Sequence, residues 1–497
     1  MLQKVVAVLF FPTLFSFESF AFLYRSLPSA GKLRGLPILG AERKSHVCIV
    51  GGGFGGLYTA LKLESLNSST LDITLVDSKE KFVFLPLLYE LAIGIASVVE
   101  VTPTYQSLLG KKNIRFLQRI VNDVDVSSRR VNFKPVEGKD DFIHYDQCVI
   151  ALGSQPRTDM IKGASQYALP FYRADDAYHL RIKLRALKSS GKPVIRIVVV
   201  GGGYSGVEVA ASIAQYLGKS KYVISVVDRN PSIMSTSPPF NRDAAERWFI
   251  YTIVATFCFL AHFPFFIRVL LGYGVSLCTN TAVQEIQENA VTLGDAQSGE
   301  VYSTESDLTI VTSGVEQSDV IKTIDLQKDP SGRLVTSRTL QCLRNPNVFA
   351  LGDCSSVMGD KLPSTAQVAM QQSVIVANNL VKRAEIYALQ GGEQQLGIEK
   401  LHVKESTPGE LESFTYVPLG EMLTLGIADG AISSLGNLVQ LQGPVAAAAR
   451  RLVYAVRMPT PQQAIVAAVS AGISTLGTLL NARTSESTGS SKKENSP

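Results

Sequence analysis

A glycine-rich turn between an apolar run and a helical stretch is written twice in this chain, 150 residues apart, and no other feature limits the fold so strongly. His46–Val50 leads into Gly51-Gly52-Gly53-Phe54-Gly55-Gly56, then helical spacing over Leu57–Leu66, then Leu71–Asp77, which ends in an acid. Val194–Val200 leads in the same way into Gly201-Gly202-Gly203-Tyr204-Ser205-Gly206, a helical stretch through Leu217, and Tyr222–Val227 followed by Asp228. In each loop the first glycine (Gly51, Gly201) permits a tight turn. The second (Gly53, Gly203) lets the backbone approach a pyrophosphate, and the third (Gly56, Gly206) lets helix and strand pack closely. The helix N-terminus then faces the phosphates. Asp77 and Asp228 stand where a ribose hydroxyl would be held. A lone glycine motif is weak evidence, but strand, loop, helix, strand and acid in order are strong. Two such units imply two dinucleotides, FAD first and NADH or NADPH second. The bland alternative is two glycine turns with no ligand.

A third segment supports the first assignment. Asn347–Asp353 reads as a strand ending in Gly352-Asp353, and in flavoproteins with two dinucleotide units such an acid reaches the ribityl chain. Cys148–Gly153 and Leu308–Gly314 read as short strands leaving each nucleotide unit, with Gly153 and Gly314 at the exits. The fold class expected is α/β: two Rossmann-like domains, the FAD domain split by an inserted NAD(P)H domain. The division runs 46–160 and 325–390 for FAD, and 161–324 for NAD(P)H. A C-terminal membrane-associating helical region follows at 391–482, then a Ser/Lys/Glu-rich tail at 483–497 that reads as disordered.

Composition excludes several classes. The net charge is +5, and residues 1–46 hold six Lys/Arg against two Glu, so the remaining body is nearly neutral. No nucleic-acid surface is implied. Six cysteines form no CxxC and five histidines no HExxH, so no metal site is read and the thiols look structural.

The residues then resemble one family, the type II NAD(P)H:quinone oxidoreductases, which are single-subunit and do not pump protons. Phe82–Glu90 looks like the segment after that family's FAD acid, and Ala366-Gln367-Val368-Ala369-Met370-Gln371 matches its AQxAxQ motif on the quinone side. Leu419–Gly426 and Leu441–Thr460 look like the plastid-type branch, which reduces plastoquinone and demethylphylloquinone. The resemblance runs over about 46–465. It implies hydride transfer from nicotinamide to flavin, then two electrons to a membrane-embedded quinone, and it raises a homodimer as an expectation. By resemblance Glu208, Gln367 and Gln371 are the candidate catalytic residues. The two glutamines are four apart, so a helix puts both amides on one face, and the small Ala366 and Ala369 let that helix lie close to a flat ring. Glu208 would lie near the flavin and couple nucleotide binding to quinone protonation, or else be a first-turn acid favoured by the helix dipole. Asp228 favours NADH by repelling a 2′-phosphate, and Arg229 beside it softens that preference.

Three segments carry expectations of place. Residues 1–45 read as a signal sequence joined to a transit peptide, with Ser19-Phe20-Ala21-Phe22 at the junction. That points to a plastid, at the thylakoid surface or a lipid droplet, with a mitochondrion as the alternative. Pro444–Met458 and Gln462–Leu480 read as amphipathic helices lying on a membrane, with Arg450, Arg451 and Arg457 offered to anionic headgroups. The alternative is two helices packed on the FAD domain or a second subunit. Trp248–Ile267 has sixteen apolar residues of twenty and no Lys, Arg, Asp or Glu, inside what should be a cofactor fold. Residues 248–268 read as an insertion, an unspliced intron included, against an extra membrane contact or a buried helix. Two rival functions remain: a sulfide:quinone oxidoreductase, with Cys148 and Cys354 as its nearest redox pair, and a flavoprotein that senses NAD(P)H through a partner.

Overall fold

Strands covered on both faces can be apolar at every position, and Val47–Val50 and Ile197–Val200, before the two glycine loops, take that form. The computed structural model describes residues 44–472 except 68, 136–140, 158, 219, 259–273, 396–410 and 427–428, with backbone alone over 250–258 and 387–395. The first run is β1 (Ser45–Val50), buried from Val47 onward. It passes through the glycine loop into α1 (Phe54–Ser65) and β2 (Leu71–Asp77). α2 (Leu88–Ile93), α3 (Val98–Val101), β3 (Arg115–Gln118) and β4 (Gln147–Ile150) follow. The second unit contains β5 (Ala168–Pro170), β6 (Ile195–Val200), α4 (Tyr204–Leu217), β7 (Tyr222–Val227), α5 (Pro239–Cys258), β8 (Gly274–Cys278) and β9 (Leu308–Val311). After it come β10 (Leu334–Thr336), β11 (Gln341–Cys342), β12 (Asn345–Ala350), β13 (Ser355–Val357) and α6 (Ala366–Gln395).

These strands make two sheets. One is eight-stranded, in the order β13-β10-β11-β12-β4-β1-β2-β3, and the other is the parallel sheet β8-β7-β6-β9-β5. β12 returns beside β4, in parallel register with Cys148–Ile150, after the whole second sheet has been built. The late Gly352-Asp353 turn therefore emerges at the same edge as the first glycine loop.

The C-terminal region departs from the helical expectation. It contains an antiparallel sheet of β14 (Glu421–Thr424), β15 (Gly430–Ser434) and β16 (Val439–Gln442). Leu435, Gly436 and Asn437 all have positive φ, which is the backbone of a tight hairpin between β15 and β16. Only then comes α7 (Pro444–Val456), followed by helical residues 461–472. Among the described residues, no helix is long and apolar enough to cross a membrane. Residues 1–43 of the segment read as a signal plus transit peptide, and the 483–497 tail, lie outside the described residues.

The expected roles of Arg450 and Arg451 are corrected. Their side chains are only 1% and 9% exposed, so neither is offered to headgroups. Arg450 donates to Glu90 Oε1 at 2.6 Å, and Arg451 pairs with both Glu90 and Glu100, the latter at 3.0 Å. Ser470 donates to the second Glu100 oxygen at 2.7 Å, which ties residues 461–472 to the same cluster. On the same helix Val445, Leu452 and Val456 are 43–49% exposed. A charge taken out of water must be paired. The basic side of α7 therefore turns inward to the acids of α2 and α3, and its apolar side is left outside.

Removing one partner of such a cluster leaves an uncompensated buried charge. Glu100→Ala is expected to destabilise the protein by about 3–5 kcal/mol, read as a lowered urea midpoint. Ser470→Ala should cost about 1 kcal/mol.

Candidate functional site

The two glycine loops are built by the same device. Gly51 has φ +101°, and a Cβ there would lie 2.4 Å from the Ala151 carbonyl oxygen. A Cβ on Gly56 would lie 1.8 Å from the Gly51 oxygen, yet one on Gly53 would meet no protein atom within 4 Å. Gly201 has φ +109°, Gly206 is blocked at 1.8 Å by the Gly201 oxygen, and Gly203 is open in the same way. In both loops the flanking glycines are demanded by the protein, while the central one faces free space where a ligand would come.

The acids close each loop. Asp77 accepts from the backbone N–H of Gly52 (2.7 Å) and Lys79 (2.8 Å). Asp228 accepts from Gly202 (2.6 Å) and Asn230 (2.8 Å). Each carboxylate is thereby fixed at the end of its strand, beside the loop it would serve.

A groove of about 730 Å³ runs from the first loop past Asp77, Gly153 and Ser154 to Gly352, Asp353, Ala366 and Ala369. Asp353 accepts from Ser154 Oγ at 3.1 Å, and burial pushes its carboxyl upward against that bond. The groove brings together the FAD residues read from sequence: Gly51, Gly53, Phe54, Gly55, Asp77, Gly153, Gly352 and Asp353, with Gly56 packed behind. Gly314 sits outside it with φ +86°, its carbonyl accepting from the Arg157 N–H. The turn, the open central glycine and the acid at each end fit FAD. The second loop with Asp228 fits a nicotinamide dinucleotide.

The glutamines of α6 do something the sequence did not show. Ala366 and Ala369 line the groove, but both amides bond a strap at 416–420. Gln367 Oε1 accepts from the Tyr416 hydroxyl (2.7 Å) and the Leu419 N–H (3.1 Å), and its Nε2 donates to the Gly420 carbonyl (3.2 Å). Gln371 bonds both the N–H (3.0 Å) and the carbonyl (2.8 Å) of Val417.

Glu208 lies on α4, half-buried, and accepts from the Thr424 N–H of β14 at 3.0 Å. Burial pushes its carboxyl up to about 8, against the lowering effect of Arg450. It is therefore mostly protonated at neutral pH.

A model of the family described as pyridine nucleotide-disulphide oxidoreductase matches residues 45–250 and 265–373. The chain belongs to that family. It is 34% identical over 427 residues to the demethylphylloquinone reductase NdbB of Synechocystis, covering 85% of this chain and 94% of that one. It is 33% identical to the alternative NAD(P)H-ubiquinone oxidoreductase C1, chloroplastic/mitochondrial, of Arabidopsis thaliana, covering 86% and 80%. Its fold matches that of NDH2 from Plasmodium falciparum, solved in complex with NADH, with a TM-score of 0.68 at 19% identity over 88% and 98% of the two chains. The family match stops at 250 and resumes at 265, within the apolar stretch of α5 and the residues after it.

Within this oxidoreductase fold the cysteine pair of the sulfide reading is not assembled for redox chemistry. Cys148 and Cys354 are fully buried, and burial raises both thiols, Cys354 to about 11. Cys354 Sγ instead donates to the Ile150 and Leu351 carbonyls. Thiolate is the reactive form, and neither residue supplies it.

Sequence reasoning missed three residues here and gave a fourth, Arg450, another role. Gln372, next to the motif, accepts from the Gly352 N–H at 2.7 Å and so shapes the Gly-Asp turn. Tyr105 donates to the Gly52 carbonyl at 2.8 Å, and its hydroxyl would lie 2.2 Å from a Cβ on Gly52. Tyr89 and Arg450 stand behind Glu208. Gln372 lies one residue past the motif, Tyr89 within Phe82–Glu90 and Arg450 within Leu441–Thr460, but nothing local marks the contacts that they make.

The two open glycines separate the two dinucleotides. Gly53→Ala should fold but lose FAD on purification. Gly203→Ala should keep FAD and raise KM for NADH about tenfold, the effect of about 1.4 kcal/mol. Flavin absorbance and steady-state kinetics check both.

Proposed function

We propose that this protein is an FAD-dependent NAD(P)H:quinone oxidoreductase of the type II class, moving two electrons from a nicotinamide dinucleotide to a membrane quinone without pumping protons. The observation that carries it is the pair of glycine cradles on one chain with a groove between the first loop and the Gly352-Asp353 turn. The two relatives named as demethylphylloquinone and ubiquinone reductases support the choice of acceptor. Bound FAD supplies the two-electron relay between donor and quinone. The chain's own residues orient it: Gly53 and the N-terminus of α1 toward the pyrophosphate, Asp77 toward the ribose, Asp353 toward the ribityl chain. Gln367 and Gln371 serve the quinone side by holding the 416–420 strap against α6.

Asp228 selects NADH, since a second negative charge beside it would be repelled, with the exposed Arg229 allowing some use of NADPH. The buried thiols argue against sulfide as donor. Purified, FAD-loaded protein with a short-chain quinone should oxidise NADH and leave sulfide untouched, and Asp228→Ser should narrow the NADH/NADPH ratio. Oxidation of sulfide but not NADH would overturn the assignment.

The membrane surface is the apolar side of α7 continued by residues 461–472. Val445, Leu452, Val456, Ile465 and Val469 are 43–65% exposed. A plastid membrane, thylakoid or lipid droplet, is the location this reading favours, from the sequence of residues 1–45; the relative named chloroplastic/mitochondrial is compatible with a plastid or a mitochondrion. The family match that omits 251–264 supports reading 248–268 as an insertion that begins within α5. Because α7 is bound to Glu90 and Glu100, deleting it would disrupt the fold. Leu452→Glu with Val456→Glu is the cleaner test, expected to abolish co-sedimentation with vesicles containing anionic lipid while NADH:ferricyanide activity persists.

A further inference from the structure

The first turn of α4 faces a polar cluster contributed by three distant parts of the chain. Around Glu208 stand Tyr89 and Glu90 from α2, the Thr424 N–H from β14, and Arg450 and Tyr454 from α7. Apart from Glu208 they are at most 8% exposed. Counting charge explains its state. Arg450 pairs with Glu90, and Arg451 with Glu90 and Glu100. Two cations are thus matched by two anions, and Glu208 has no cation of its own. An unmatched carboxylate in such surroundings is disfavoured, so the neutral acid is the resting form.

Tyr89 occupies the deciding position. Its hydroxyl accepts an N–H of Arg450 at 2.7 Å, and it lies 2.9 Å from Thr424 Oγ1. The hydroxyl also acts on the Glu208 carboxyl, whose ionised form it favours. A guanidinium only donates, so the Arg450 contact takes a lone pair of the Tyr89 oxygen and leaves its single proton for the other side. Two acceptors compete for that proton, Thr424 Oγ1 and the Glu208 carboxylate. An ionised carboxylate is the stronger acceptor and a neutral carboxyl the weaker.

We propose that Tyr89 is a positioning residue for Glu208: held by Arg450, its hydroxyl turns from Thr424 to the Glu208 carboxylate when that group gives up a proton. This rests on the reading above, in which Glu208 exchanges a proton during quinone reduction. NADH would supply, by way of bound FAD, two electrons and one of the two hydrogens of the quinol; the Glu208 O–H breaks as the second quinol O–H forms, and water on the exposed side of Glu208 restores the proton. Tyr89 neither gains nor loses a proton over the cycle. It stabilises the transient carboxylate together with the Thr424 N–H, and Arg450 keeps it aimed.

The test is the pH dependence of kcat for NADH and a short-chain quinone, measured on FAD-loaded holoenzyme. The wild type should lose activity as pH rises and Glu208 ionises, and Glu208→Gln should abolish that limb. Tyr89→Phe should move the limb up by about one pH unit, a tenfold change in proton release, with FAD content and KM for NADH unchanged. Thr424→Val keeps the N–H and removes the competing acceptor, so it should move the limb down. A merely structural role would not shift the two variants in opposite directions. If the limb vanishes in Glu208→Gln but stays in place in both other variants, the proposal fails while the role of Glu208 stands. If it survives in Glu208→Gln, the underlying reading fails. Should Tyr89→Phe not retain FAD, the Thr424→Val shift decides alone, and its absence or an upward movement overturns the proposal.

Discussion

Two arginines and two glutamates buried together join the C-terminal helix to the first nucleotide unit. Arg450 and Arg451 are about 360 and 350 residues from Glu90 and Glu100, so the bond between them spans nearly the whole described chain. Neither pair of charges tolerates burial without the other. This cluster holds α7 on α2, and with it the antiparallel sheet that supplies the Thr424 N–H to Glu208. The same contact decides which side of α7 meets solvent, since turning the arginines inward leaves Val445, Leu452 and Val456 outside. The exposed apolar side and the buried side that reaches Tyr89 and Glu90 are therefore two faces of one helix.

The glycine loops show a second economy. Both use a steric demand from the protein at the outer glycines and leave the central position open. The surrounding strand pairs are both parallel, and the acid at the end of the second strand bonds a loop N–H in both. A carboxylate that already fixes the loop is fixed in turn, which pre-orients it for a ribose. The middle glycine is less alike: Gly52 is required by Tyr105, and Gly202 by Ile233 and Asp228.

Much of the fold was legible because its signals are local. Strand, loop, helix, strand and acid lie within about thirty residues in each unit, and backbone sterics at Gly51 and Gly56 are the same wherever the unit sits. The return of Asn345–Ala350 to the first sheet was legible from its Gly-Asp ending. The hairpin of β15 and β16 carries only a short local signal, Gly436-Asn437 at its turn, beside the longer helical pattern of Pro444–Met458. The site was legible in its glycines and acids and opaque in its glutamines. A motif places Gln367 and Gln371 on one face of a helix, but it cannot say that an extended strap fifty residues later fills that face.

The sequence by itself determined two strand–loop–helix units, their order, the acids that close their loops and the family they resemble. Each depends on neighbours within one turn or one strand, where geometry follows from residue type. Only the tertiary structure decided that Arg450 and Arg451 face protein and not lipid, that Cys148 and Cys354 are inert, and that Tyr89 stands between Arg450 and Glu208. The physical reason is the same in each case. Whether a charge, a thiol or a hydroxyl is available depends on which distant groups exclude water from it, and that exclusion exists only once the chain has closed on itself.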